Sequence, residues 1–329
     1  MEALPVDLSS PSIKFYLALV RLQVLTPLSL LINIASILVC ALVANPSIRE
    51  VSRLHPTAIT PNSHAMAIYV GIIWLGQIGY CVLLVLARKD ETKRAMVSAV
   101  GLALVFGNIV MALWAIAFVM QWFLLSTILL GILLLLLCFS NVALLVYHPP
   151  VSSRPLDTAL IHAPMRFYFI LPFSILFPLS LFITLGLWYT PTPPGPPTDP
   201  AAYHATAAFG VVLGTNLFSL LVIALHRDII WCIAATWIAV SLWSAMPKPA
   251  SVSITAITFT ALHPLALILS LIYERFYSRK RPNQVALVGD ERGLYVTPTP
   301  DPTPANFNNQ ARPAEIPNGP SEIDEETWG

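Results

Sequence analysis

The chain has 329 residues, of which 56% are hydrophobic and only 11% charged, less than half the roughly 25% of an ordinary soluble domain. With a mean hydropathy of +0.73, this much apolar surface does not fit into one soluble core; the composition points to a membrane protein and excludes a DNA-binding module, a secreted disulfide scaffold and a disordered hub. The net charge of +1 hides an asymmetry: residues 1–282 carry 16 Lys/Arg against 9 Asp/Glu, and residues 283–329 carry two Arg against eight acids.

A helix needs about 20 apolar residues to cross the hydrocarbon core. After a leader over 1–23, the first such run is 24–44, followed by 65–87. The leader has no basic n-region and no small-residue cleavage site, so the first run reads as a retained helix. Residues 97–147 are apolar throughout and about 76 Å long as helix, enough for two crossings, 97–119 and 122–147, with Gln121 as the turn residue. The fifth run, 167–189, contains Pro172 and Pro178 and should be bent or locally unwound. A stiff connector, TPTPPGPPTDP over 190–200, leads to 203–225, where Gly210 and Gly214 with Ala207 should form a helix-contact face. The last two runs are 229–246 and 250–273. The expected fold class is therefore all-α, a polytopic bundle of about eight transmembrane helices over 24–273, followed by a tail over 274–329. Eight prolines after residue 281 and few apolar residues make that tail disordered. Its acidic end, Ser321 to Gly329, offers a docking peptide for a protein partner.

Orientation follows from the positive-inside rule. Counting alternate sides of eight spans, fifteen Lys/Arg fall with the two termini and three, Arg49, Arg53 and Lys248, fall opposite. Both termini should be cytosolic. In this count Arg166 ends one loop and Asp228 ends another, so no span carries a charge near its middle. That argues against proton translocation by a buried carboxylate. The sequence has no P-loop, HExxH, GxSxG or paired intramembrane Asp. No catalytic residue, metal ligand or cofactor is assigned, and nucleic acid is not an expected partner. Cys40, Cys81, Cys138 and Cys232 lie in apolar runs without metal-site spacing and read as free thiols.

The polar residues inside the spans are Asn33, Gln77, Asn108, Asn141, Asn216 and His263. In hydrocarbon each should face another helix, either as interhelical glue or as the lining of a cavity. Trp74, Gln77 and Tyr80 recur at i, i+3 and i+6, an aromatic wall with one amide. Gly101, Asn108, Ala112 and Ala115 form a stripe along the third span, which also carries the deep Trp114. In the last span Ser253, Ala256, Thr260, His263, Leu267 and Ser270 share a face, and Pro264 frees the carbonyl of Thr260. An imidazole at a broken helix is a functional candidate, against the plainer reading that it satisfies the local break. Trp122, Trp188, Trp231 and Trp243 sit near span ends and fit an aromatic belt.

The segment 60–80, TPNSHAMAIYVGIIWLGQIGY, resembles the Trp-containing second helix of the tryptophan-rich sensory protein, or translocator protein, family. Phe106-Gly107-Asn108 followed by Ala112-Leu113-Trp114 is similar to that family's third helix. Leu171-Pro172-Phe173 is similar to the Pro-Tyr motif of its fifth, with Phe in place of Tyr and the following Trp missing. The resemblance covers about 24–189; the whole layout, with the His-Arg-Asp turn at 226–228, also resembles uncharacterised multi-pass membrane proteins of fungi. The resemblance implies a sensor, carrier or receptor for a small apolar ligand. Trp74, Gln77, Tyr80, Asn108, Trp114, Thr260 and His263 are the candidate pocket. The alternatives are a structural or assembly factor of a membrane complex and, less favoured, an intramembrane enzyme. The lipid bilayer is the one certain partner.

Overall fold

The computed structural model describes residues 10–148, 155–189, 204–245 and 247–278, with side chains to 276. All regular structure among them is helical. The connector 190–200 and the tail beyond 278 lie outside the described residues.

Helix α1 spans Pro11–Leu42 and begins inside the expected leader. The short α2, Ile48–Leu54, is set by a capping box in which Ser47 and Glu50 satisfy each other's backbone N–H. Helix α3 is Ser63–Leu86, capped by the Asn62 side chain on His64 and Ala65. Helix α4 runs Asp90–Val119 and α5 Phe123–Tyr147. Between them Gln121, the expected turn residue, takes a left-handed conformation with φ +59°. Helix α6, Pro155–Thr184, is one continuous element with π-helical stretches at Thr158–His162 and Pro172–Leu176. The wider turn at Pro172 is the local unwinding its missing N–H requires. Helix α7 is Ala205–His226, α8 Ile229–Trp243 and α9 Ala250–Ser278.

Seven of these helices are long and apolar enough to cross a membrane. The exception is α8, with 15 residues. At 1.5 Å per residue it is about 22 Å long, short of the ~30 Å hydrocarbon core. It still returns the chain. Helices α7 and α9 run parallel, level at Asn216 with His263 and at Arg227 with Glu274 (2.7 Å). The passes alternate accordingly, and Gln23 Nε2, donating to the Leu84 carbonyl, places the start of α1 at the far end of α3.

The helices form two groups. Helices α1, α3, α4, α5 and α6 pack on one another, and α7, α8 and α9 make a second group joined to the first by α8 against α6 and α3 and by α7 against the Pro172–Leu176 stretch of α6. Close approach of α3 to α6 depends on glycine: a Cβ on Gly76 would sit 2.8 Å from Pro164 Cγ, and one on Gly79 would sit 2.7 Å from Leu160 Cδ2. Gly210 and Gly214 behave otherwise. Both are exposed on α7, with nothing within 4 Å of an added Cβ, so they are not a contact face inside the bundle.

Candidate functional site

The expected pocket residues fall into separate places. Asn108 and Gln77 meet: Asn33 Nδ2 donates to Asn108 Oδ1 (3.0 Å), and Asn108 Nδ2 donates to Gln77 Oε1 (2.9 Å). This amide chain ties α1, α4 and α3 together, and all three side chains are buried. Alongside it Ser36 Oγ donates to the Ala112 carbonyl at 2.9 Å, so the small stripe on α4 receives α1. Tyr80 lies toward the end of α3, its hydroxyl on the Met96 carbonyl. Trp114 is buried against Phe118. Trp74 is half-buried. Thr260 and His263 belong to the second helix group. His263 Nε2 lies 3.4 Å from the Asn216 carbonyl of α7, and the Thr260 hydroxyl donates to Ala256. The structure thus joins Gln77 to Asn108 and sets Thr260 and His263 apart from them.

A cavity lies elsewhere, around the start of the short α8. Its volume is about 230 Å³. Its walls come from α5 (Asn141, Val142), α6 (Arg166, Phe169), α7 (Phe218, His226) and α8 (Asp228, Trp231). It opens outward between α5 and α7, where Cys138, Val142, Leu145 and Phe218 are exposed.

A buried ion pair forms its floor. Arg166 Nη1 meets Asp228 Oδ2, with side chains 10% and 5% exposed. Asp228 Oδ1 also accepts the N–H groups of Ile230 (3.0 Å) and Trp231 (3.1 Å), capping α8. Asn141 Nδ2 donates to the Leu137 (2.8 Å) and Met165 (3.2 Å) carbonyls, fixing α5 beside Arg166. Asn141 stands six residues before the end of α5, so the floor is roughly 9 Å inside that end. Phe169, Phe218 and Trp231 wall the cavity on one side; Phe173 packs behind them, 5.6 Å from Phe169 and 5.1 Å from Phe218, and Phe169 and Trp231 are 5.7 Å apart. Trp231 is buried, and its Nε1–H has no partner among the described residues.

Two corrections to the sequence reading follow. Arg166 is not in a loop; it is the twelfth residue of α6, because the helix starts at Pro155 and not at 167. Trp231 is not a belt residue but part of an interior wall. A signal was present in the sequence: a single Arg and a single Asp, each immediately before an apolar run, with Asp228 ahead of Ile-Ile-Trp in the pattern of an N-cap.

At the other end of the bundle, Lys248 is 7% exposed and donates to the carbonyls of Ala58 (3.1 Å) and Thr60 (2.7 Å). Burial pushes its ammonium pKa down to about 7. Nearby, the Asn62 N–H donates to Ser241 and Tyr189 N–H to Pro56, so the segment after α2 is laced to α8 and to the chain following α6. Among the described residues no group of three His, Cys, Asp or Glu side chains is placed to hold a metal ion, and the four cysteines are free.

Residues 23–184 are similar to the family described as TSPO-like protein. No curated protein and no solved structure is matched by the chain. The similar segment ends on the last residue of α6, so α7, α8 and α9 lie beyond it. The cavity straddles this border: Asn141 and Arg166 come from the TSPO-like part, and His226, Asp228 and Trp231 from the added helices.

Proposed function

We propose that this integral membrane protein is a sensor or carrier for a small, largely apolar ligand, held in the cavity where the added helices meet the TSPO-like part. The observation that carries the reading is the Arg166–Asp228 pair at the floor of an outward-opening cavity. Charged groups inside a membrane bundle are costly, point by default to a functional position, and are a poor source of stability. The similarity to TSPO-like proteins is compatible with such a role. Gln77 and Asn108 we assign to packing, since they bond across neighbouring helices, Asn108 through both amide atoms and Gln77 through its oxygen. The test is ligand retention: protein purified in mild detergent and analysed by mass spectrometry should carry a bound small molecule. Val222→Trp, which fills the cavity, should lose it. Equal retention by that variant would reject the site.

A structural or assembly role has one observation in its favour, the outward stripe of Ala207, Gly210 and Gly214 on α7, open to another helix. Gly214→Leu would then change the size of the native complex and leave ligand retention intact. We also propose that both chain ends are cytosolic, from the fifteen-to-three segregation of Lys/Arg. Reporter tags at the N-terminus, between Ala87 and Asp90, and after residue 285 should all be cytosolic, and a tag in 192–198 opposite. Any other pattern removes this topology.

A further inference from the structure

The function proposed above leaves the ligand's chemistry open, and the cavity's donors and size narrow it. This step rests on that reading. We infer that the cavity takes the anionic oxygen headgroup, carboxylate or phosphate, of a lipid-like amphiphile whose chain stays in the surrounding bilayer.

Three observations support the inference. The first is size. At about 230 Å³ the cavity falls below the ~300–1,000 Å³ that encloses a drug-sized ligand. Only part of a ligand fits, and the rest must emerge through the opening. The second is the opening itself. Its rim carries Val142, Leu145 and Phe218, exposed apolar side chains between α5 and α7 at membrane-facing positions. What emerges there meets hydrocarbon, so it is apolar.

The third is the balance of donors and acceptors on the floor. Asp228 has committed both oxygens, one to two backbone N–H groups and one to Arg166. Arg166 lines the cavity and has five N–H donors, of which Nη1 serves Asp228, leaving N–H capacity on the guanidinium for a further acceptor. The Trp231 indole N–H is buried on the same wall without an acceptor. His226 adds a ring nitrogen at the margin. The α8 N-terminus adds its partial positive charge on the same side. Against these stands one acceptor, the Oδ1 of Asn141, whose Nδ2 is spent on two carbonyls; donors still outnumber acceptors, and the group that fits is an acceptor of two or more hydrogen bonds. A carboxylate or phosphate meets a guanidinium bidentately. Asp228 holds the guanidinium in place while the site is empty, so no lone charge is buried.

The experiment is a melting assay on the full chain in non-ionic detergent, with oleate, dioleoyl phosphatidate, monoolein and inorganic phosphate as separate probes. Binding to the native state raises the melting temperature by mass action. Oleate or dioleoyl phosphatidate should raise it by about 3–6 °C at saturation, a size set by ~2–4 °C per kcal/mol for a protein of this length. Which of the two acts identifies the source of the headgroup. Monoolein, with the same chain and an uncharged head, should move it by less than ~1 °C. Arg166→Gln should abolish the shift, and Trp231→Phe, which keeps the ring and removes only the N–H, should weaken binding about 2–10-fold. Should Arg166→Gln not fold, Trp231→Phe decides. An undiminished shift in the variants overturns the headgroup assignment. So does a monoolein shift equal to that of oleate, and if Val222→Trp removes that shift the ligand-binding reading survives alone. A full shift with inorganic phosphate overturns the amphiphile. No shift with any probe, together with no retained ligand, overturns both readings.

Discussion

The Arg166–Asp228 pair gives the sharpest stability prediction, because its two halves can be removed separately or together. An exposed ion pair is worth about 0–1 kcal/mol. This one is 10% and 5% exposed, so the relevant cost is that of stranding a buried charge, about 3–5 kcal/mol. Arg166→Met leaves the Asp228 carboxylate alone in the interior, still capping α8. Asp228→Asn keeps the cap, because the side-chain oxygen still accepts from Ile230 and Trp231, and leaves the guanidinium unpaired. Each change should therefore cost about 3–5 kcal/mol for electrostatic reasons, the cap being intact. Asp228→Ala should cost about 1 kcal/mol more, because it also removes the cap.

The double variant Arg166→Met/Asp228→Asn strands nothing. It should lie within about 1 kcal/mol of the parent, since apolar replacement of a buried pair is close to neutral. At ~2–4 °C per kcal/mol, the single changes should lower the melting temperature by roughly 6–20 °C and the double change by under ~4 °C. Thermal unfolding in detergent, followed by the fraction remaining monodisperse, measures all four corners of the cycle. Additive single effects, or single changes worth less than ~3 °C, would show that solvent reaches the pair and that the site is not a buried one.

Lys248 supplies a pH test. Its ammonium pKa is pushed down to about 7 by burial, against ~10.4 in an unfolded chain. Between those values the unfolded chain binds more protons, so stability should rise as pH increases from about 7 toward 10, by on the order of 4 kcal/mol at most, and be flat below 7. Lys248→Met should remove the slope, and a slope that survives in it assigns the effect to other groups. The glycines should separate by neighbour: Gly76→Ala drives a Cβ into the Pro164 ring at 2.8 Å and should cost about 1–3 kcal/mol, Gly79→Ala meets the movable end of Leu160 and should cost less, and Gly210→Ala should be neutral or slightly stabilising. Equal melting temperatures for the three would sink that ordering. Asn108→Leu breaks two amide contacts and should cost about 1–3 kcal/mol. His263→Gln should melt near the parent, because an amide can still donate to the Asn216 carbonyl, and His263→Leu about 1–2 kcal/mol lower; an equally deep loss from both would mean the ring itself is needed.

Most of the architecture was legible in the sequence, because the membrane leaves a chain few choices. Runs of about 20 apolar residues can only be helices there, and the breaks between them are marked by charge or Pro, or in one case by a polar residue at the middle of a double-length run. Gln121 is that case: flanked by apolar residues on both sides, it lies at the middle of a 51-residue run, where two crossings of similar length must meet. The α4 stripe was legible for a related reason, since small residues around Asn108 permit only close approach of another helix. The Gly210 and Gly214 stripe was misread by the same rule. Periodicity shows that small residues share a face, and not whether a neighbour occupies it.

The site was hidden because hydropathy marks where a run of apolar residues begins, whereas a helix begins where its backbone is first satisfied. Helix α6 takes twelve residues before its apolar run, and two π-helical stretches shift its register, so Arg166 is carried into the bundle by a segment that reads as loop. Asp228 is drawn in from the other side, because α8 is 15 residues long and must start deep to end beside Asn62. Neither position is tolerable for its charge alone. Each charge is buried only because the other is there, and that condition joins two residues 62 positions apart on different helices. Single-helix patterns cannot express it. The same condition ties the helices beyond residue 184 to the segment before it: without the Asp228 cap of α8 the Arg166 guanidinium would have no counter-ion, and without α7 and α8 the cavity would lack the walls made by Phe218, His226 and Trp231.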